Sequence, residues 1–202
     1  MPIKETKERI IKKIREKYGH DLDKWINYIR EQRNLGFLKR EHIWMNDPRF
    51  IECIYEIVPP DIFNKWLVKF QTWKHMEDYP LEKYLKLLEK IDKSIAMSIE
   101  PGDYVTYTNL PKTITVFRGC PKGHFMSTAW SKDKNIATAM GRRYLCEEED
   151  VIYVYSAQIN KEDVFFYTDC RGEEEIVLNP YKLKNCNIIK KVKFNPDPRF
   201  SF

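Results

Sequence analysis

The apolar residues change their period at Pro101-Gly102, and that change limits the chain to a helical part followed by a mixed one. Ahead of it, Ile10, Ile14 and Tyr18 recur at helical spacing until Gly19 stops them, and Leu22, Trp25, Ile26 and Ile29 repeat the pattern. Asp47-Pro48 reads as the start of a helix carrying Phe50, Ile54 and Ile57, ended by Pro59-Pro60. Asp61 is placed to cap another helix through Phe63, Trp66, Leu67 and Phe70. The longest stripe, Leu81, Tyr84, Leu85, Leu88, Ile91 and Ile95, reads as one helix running toward Pro101. Such stripes are core faces. The tryptophans Trp25, Trp44, Trp66, Trp73 and Trp130 read as buried anchors.

Beyond Gly102, short β-rich runs replace the helical period. Tyr104-Val105-Thr106-Tyr107, Thr113-Ile114-Thr115-Val116-Phe117, and the segments 151–155, 164–167, 176–178 and 188–194 all read as strands. One helix lies among them, with Ser131 as its expected cap, Ile136, Ala137 and Met140 as its apolar side, and Gly141 as its end. The expected fold is α+β: a helical region over 1–100, then a domain of mostly antiparallel strands over 101–202.

Composition supports a packed core, with 43% hydrophobic and 14% aromatic residues among 202. The net charge of +5 falls short of the basic stripe of a dedicated nucleic-acid binder. In the first twenty residues Lys4, Lys7, Arg9, Lys12, Lys13, Arg15 and Lys17 outnumber Glu5, Glu8 and Glu16, a local basic excess that reads as a solvated helix face. Cys53, Cys120, Cys146, Cys170 and Cys186 are scattered and fit no zinc spacing, so a reduced protein without a metal is expected. The charged start and the lack of a long apolar run argue for a soluble, cytoplasmic protein with no membrane partner.

Three features of the second half can carry chemistry. In Val116-Phe117-Arg118-Gly119, an arginine fork suited to phosphate ends an apolar strand, and the glycine would let a ligand approach the backbone. In Phe125-Met126-Ser127-Thr128-Ala129-Trp130-Ser131, hydroxyls alternate with apolar residues. In Arg171-Gly172-Glu173-Glu174-Glu175-Ile176-Val177-Leu178, carboxylates run directly into a strand. Strand alternation would put Glu173 and Glu175 on one face and turn Glu174 away. Two like charges on a buried face are costly without a cation, a cost that functional sites accept.

In this order and spacing the three features resemble the arginine–serine–glutamate class of mono-ADP-ribosyltransferases. Arg118-Gly119 is similar to that family's first motif, Ser127-Thr128-Ala129 to its serine–threonine–serine motif, and Glu173-Glu174-Glu175 to its Glu-x-Glu motif. The resemblance covers residues 104–195 and departs at Ala129, where the family has serine. Measured back from the following helix, Ala129-Trp130-Ser131 fits the middle motif better. The hydroxyl that serves the motif therefore stays open among Ser127, which is favoured, Thr128 and Ser131.

The resemblance implies a split antiparallel β-sandwich, NAD as substrate, and transfer of ADP-ribose to a macromolecule with release of nicotinamide. It implies that Glu175 stabilises the oxocarbenium-like state reached as the ribose–nicotinamide bond breaks. Glu173 would position or deprotonate the acceptor. Arg118 would hold NAD, with Gly119, Ser127, Thr128, Ser131 and Glu175 lining its site. A first glutamate goes with an arginine acceptor, so a protein arginine is favoured over nucleic acid. The segment 167–172 corresponds to the acceptor-recognition loop, with Tyr167 as its aromatic contact and Arg171 within it. Small enzymes of this kind serve as toxins or effectors, which would place the protein in a host cytoplasm. Two alternatives stand: NAD glycohydrolase activity, with water as acceptor, and a non-catalytic binding protein on a relic NAD fold. Cys120 with His124 is a weaker nucleophile candidate, because no third group orients the pair.

Overall fold

A computed structural model describes residues 7–21, 24, 25, 27, 55, 57–73, 80–144 and 151–193. The chain divides into two compact units, Met1–Ala96 and Met97–Phe202. Most of the helices expected over 22–29 and 47–57 lie outside the described residues, as do Trp44 and Phe194.

The first unit is helical. α1 spans Lys7–Tyr18 and ends where Gly19, at φ +54, donates its amide to Arg15. Trp25 is fully buried, donates Nε1 to the Gly19 carbonyl at 2.7 Å and packs on Tyr18. α2 spans Pro60–Trp73 and buries Ile62, Phe63, Trp66, Leu67 and Phe70. Asp61 does not cap it. Pro60 takes the first helical position, where a missing amide costs nothing, and Asp61 sits in the first turn bonded to His20.

The stripe from Leu81 to Ile95 is not one helix. α3 spans Leu81–Leu88 and α4 spans Lys93–Ala96. Between them the amide of Asp92 donates to the buried Asn64 side chain at 2.7 Å. The Asp92 carboxylate in turn takes the hydroxyl and amide of Ser94 and the amide of Ile95, and these bonds hold it below its ordinary pKa. Asp92 thus starts a new helix where the apolar spacing alone would continue the old one.

The second unit is α+β. α5 spans Asp103–Asn109, which corrects the strand expected over Tyr104–Tyr107. Its β-branched and aromatic residues favour strand, yet Gly102 at φ +96 turns the chain into a helix. Tyr104 and Val105 stay exposed instead of joining a sheet. Six antiparallel strands follow: β1 Thr113–Cys120, β2 Ala129–Ser131, β3 Val151–Asn160, β4 Val164–Thr168, β5 Glu175–Leu178 and β6 Lys184–Lys193. They lie in the order β4-β5-β2-β1-β3-β6. β1 and β2 meet through one register pair, Phe117 with Ser131, whereas β1 and β3 pair along their whole length.

α6 spans Lys134–Gly141. Its cap is Asp133, whose carboxylate takes the amides of Asn135 and Ile136 at 2.6 and 2.9 Å. The expected cap, Ser131, belongs instead to β2. α6 packs on β1 where both chains carry glycine. A Cβ on Gly119 would lie 2.3 Å from the Ala137 carbonyl, and one on Gly141 would lie 3.1 Å from the Gly119 Cα. Ile152 and Val154 face this helix side, while Ile114, Val116, Ala157 and Ile159 fill the other face of the β1–β3 pair.

Candidate active site

β5 has four residues, starts at Glu175 and is buried along its whole length. Glu175 is 2% exposed and sits between two hydroxyl residues in register, Ser131 on β2 and Thr168 on β4, both buried. Directly opposite residues of antiparallel strands project to the same face. The result is a row of Ser131, Glu175 and Thr168 across three strands.

Glu173 does not share that strand. The chain turns at Glu174, which takes φ +44, so the simple alternation expected for Glu173 and Glu175 fails. The Glu173 side chain is 6% exposed, and each carboxylate oxygen meets a guanidinium. Oε1 accepts from Arg143 Nη1 at 2.6 Å and Oε2 from Arg171 Nη2 at 2.7 Å. A buried carboxylate needs such partners, and these two charge-assisted bonds supply them. The Ser131 hydroxyl donates to the Glu173 backbone carbonyl at 3.0 Å and accepts from the Asp133 amide at 3.0 Å. One side chain thus links β2, the cap of α6 and the glutamate loop. Glu174 points elsewhere, to Lys132 at 3.3 Å.

The loop is anchored below by Asp103 on α5, which is 3% exposed. Its carboxylate accepts the Asp169 amide at 3.2 Å, and the Asp169 carboxylate accepts the Glu174 amide at 3.0 Å. Burial pushes the Asp103 carboxyl up to about 6, against the lowering effect of bonds from the Asp169 amide and the Thr168 hydroxyl. Asp103 and Thr168 therefore extend the row that begins at Ser131.

Arg118 is 8% exposed on β1 and donates Nη1 to the Ala129 carbonyl of β2 at 2.6 Å. It thereby joins the first motif to the strand that pairs with Glu175. Tyr155, opposite Arg118 on β3, accepts the Gly123 amide at 2.8 Å and packs its ring on Phe125, which holds the loop after β1 in place.

The other candidate residues are placed as follows. The side of Gly119 that lacks a Cβ faces α6, so the glycine serves helix–strand packing rather than ligand approach. The Ser127 hydroxyl turns back on its own chain to accept the Ala129 amide at 3.4 Å, and Ser131 is the hydroxyl residue opposite Glu175. Thr128 is buried, and its carbonyl takes the Leu178 amide at 3.0 Å. Tyr167 is 3% exposed near the end of β4, with the Lys132 ammonium over its ring. Burial raises its phenol, with Asp169, Glu174 and Asp103 adding to the shift. Arg171 is engaged by Glu173. Burial also raises the Cys120 thiol, against the lowering effect of Arg118, which disfavours the thiolate form of a nucleophile.

Nothing in its sequence position marks Asp103 as a site residue, and Thr168 stands in the segment 167–172 without a role of its own there. For Arg143 the one local signal is Gly141-Arg142-Arg143, a basic pair at a helix end.

Fold and site together define an α+β protein with a buried carboxylate between two hydroxyls and a second carboxylate held by two arginines. Comparison with known proteins returns no match: no family model, no curated protein and no solved structure. Among the described residues no helix is long and apolar enough to cross a membrane, and no group of His, Cys, Asp or Glu is assembled to hold a metal ion.

Proposed function

We propose that the protein cleaves NAD at the nicotinamide–ribose bond and transfers ADP-ribose to a macromolecular acceptor, a protein arginine in preference. The observation that carries this reading is that three segments distant in sequence lie on neighbouring strands. Arg118 reaches β2 through Ala129, and β2 places Ser131 opposite Glu175 on β5. The weak junction between β1 and β2 is compatible with a sandwich split beside these residues.

In this reading Glu175 is the catalytic carboxylate. Bond cleavage leaves positive charge on the ribose, and a fixed carboxylate in a water-poor site stabilises it without reorganisation. Ser131 and Thr168 fix the strand ends that present Glu175. Glu173 receives the acceptor guanidinium, a role consistent with its present occupation by guanidinium groups. Arg118 holds the NAD phosphates and orients the nucleotide. NAD is a substrate, and the chemistry of the step needs no metal in this scheme.

The test is incubation with NAD labelled in the adenylate part, followed by measurement of nicotinamide and of label on protein and nucleic acid. Label on protein together with nicotinamide release supports the reading. Free ADP-ribose with no labelled macromolecule would sink transfer in favour of NAD hydrolysis. No cleavage with any acceptor or with water would leave only a binding role.

A further inference from the structure

Glu173 holds more cation than its charge requires. One buried carboxylate carries two guanidinium groups, each bonded to a different oxygen. The two arginines differ in how they arrive. Arg171 lies two residues away in the same loop and is 36% exposed, so its approach is set by the turn at Gly172. Arg143 lies 30 residues before Glu173, on a separate element, the short 3-10 turn Arg142–Tyr144. Its side chain is 60% exposed, with only the tip engaged at 2.6 Å. An arginine of a second protein would reach Glu173 in the same manner, with an exposed stem and a bonded head.

We propose that Arg143 is an acceptor built into the chain: the protein transfers ADP-ribose from NAD to its own Arg143, while Arg171 keeps the Glu173 carboxylate in place. This inference rests on the ADP-ribosyl transfer reading. In the step, an Arg143 Nη attacks the anomeric carbon of the nicotinamide ribose. A nitrogen–carbon bond forms as the ribose–nicotinamide bond breaks. The electron pair of that bond leaves with the pyridinium, which departs as neutral nicotinamide. The proton lost by the attacking nitrogen passes to the Glu173 carboxylate and then to solvent. The guanidinium keeps its positive charge after substitution, so NAD and the side chain balance against product, nicotinamide and one proton. Because the modified Arg143 fills the position that the acceptor must take, the reaction stops at one ADP-ribose per chain.

The experiment uses the full chain with NAD labelled in the adenylate part, and nicotinamide is quantified in the same sample. Peptide fragmentation is expected to place the ADP-ribose mass on Arg143. Label per chain is expected to level off near one, and its rate per molecule should not change on dilution, since donor site and acceptor belong to one chain. Arg143→Lys keeps the cation for Glu173 but lacks the guanidinium, and it should lose most of the label. Release of nicotinamide with label elsewhere on the chain, or label that persists in Arg143→Lys, overturns the inference and leaves the transfer reading standing. Absence of nicotinamide release overturns both.

Discussion

Ser131 stands directly opposite Glu175 in the β2–β5 ladder, yet its hydroxyl bonds the Glu173 carbonyl and the Asp133 amide. It therefore supports the backbone around both glutamates instead of holding one carboxylate. Removing the hydroxyl leaves a buried carbonyl and a part-buried amide short of a partner, which costs about 1–3 kcal/mol. Ser131→Ala should lower the denaturant midpoint and NAD cleavage together. Ser127→Ala, which loses one long bond to its own chain, should change both far less. Parallel denaturation curves and nicotinamide assays on the two variants check the contrast.

Glu175→Gln keeps the volume and removes the charge. Loss of a single preorganised electrostatic group lowers turnover by roughly 10²–10³-fold. The expected result is near-complete loss of nicotinamide release with unchanged circular dichroism. Wild-type turnover in Glu175→Gln would remove this residue from the mechanism.

The raised Asp103 carboxyl is expected to make stability depend on pH. Its folded-state pKa of about 6 lies above the ordinary 3.8, so the folded state binds the proton more tightly than the unfolded one. Its contribution to stability is therefore fully present below about pH 4, falls as pH rises through about 4 to 6, and is flat above, the whole effect being at most about 3 kcal/mol. Asp103→Asn keeps an oxygen for the Asp169 amide and cannot ionise. The stability of this variant relative to wild type should rise across that window, as read from urea midpoints at about pH 4 and about pH 7.

Gly119→Ala inserts a methyl group against helix backbone, with the Ala137 carbonyl 2.3 Å from the new carbon. Backbone cannot rotate aside as a side chain can, so α6 must shift. A loss of about 1–3 kcal/mol or more is expected. Thermal unfolding of the variant should show a clear drop in midpoint, and an unchanged midpoint would contradict the packing described.

The strands rich in β-branched residues were legible in sequence, because 113–117, 151–155 and 164–167 carry their own preference. Their true ends were not. Arg118, Gly119 and Cys120 have weak strand preference, and pairing with Tyr155, Val154 and Tyr153 keeps them in β1. Tyr104 to Tyr107 misled for the opposite reason: local preference favoured strand, and the turn at Gly102 with Asp103 anchoring the Asp169 amide decided for helix. β2 is three residues long, too short to leave a period, and exists because Leu178 and its neighbours complete its hydrogen bonds. In the site, the carboxylates were visible as a run. Of their partners Arg171 stands in the same run, whereas Arg143, and Asp103 that anchors the loop at Asp169, reach it only through folding.

The left-handed residue between the two glutamates has a consequence for how such a site can change over generations. Glu175 belongs to the sheet, where any shift disturbs three strands at once. Glu173 belongs to a loop tied down at Asp169 and turned at Gly172 and Glu174. In the proposed reading, bond breaking is thus inherited with the scaffold, while the choice of acceptor sits in a separate module. That module can be lengthened, shortened or exchanged without rebuilding the chemistry beside it.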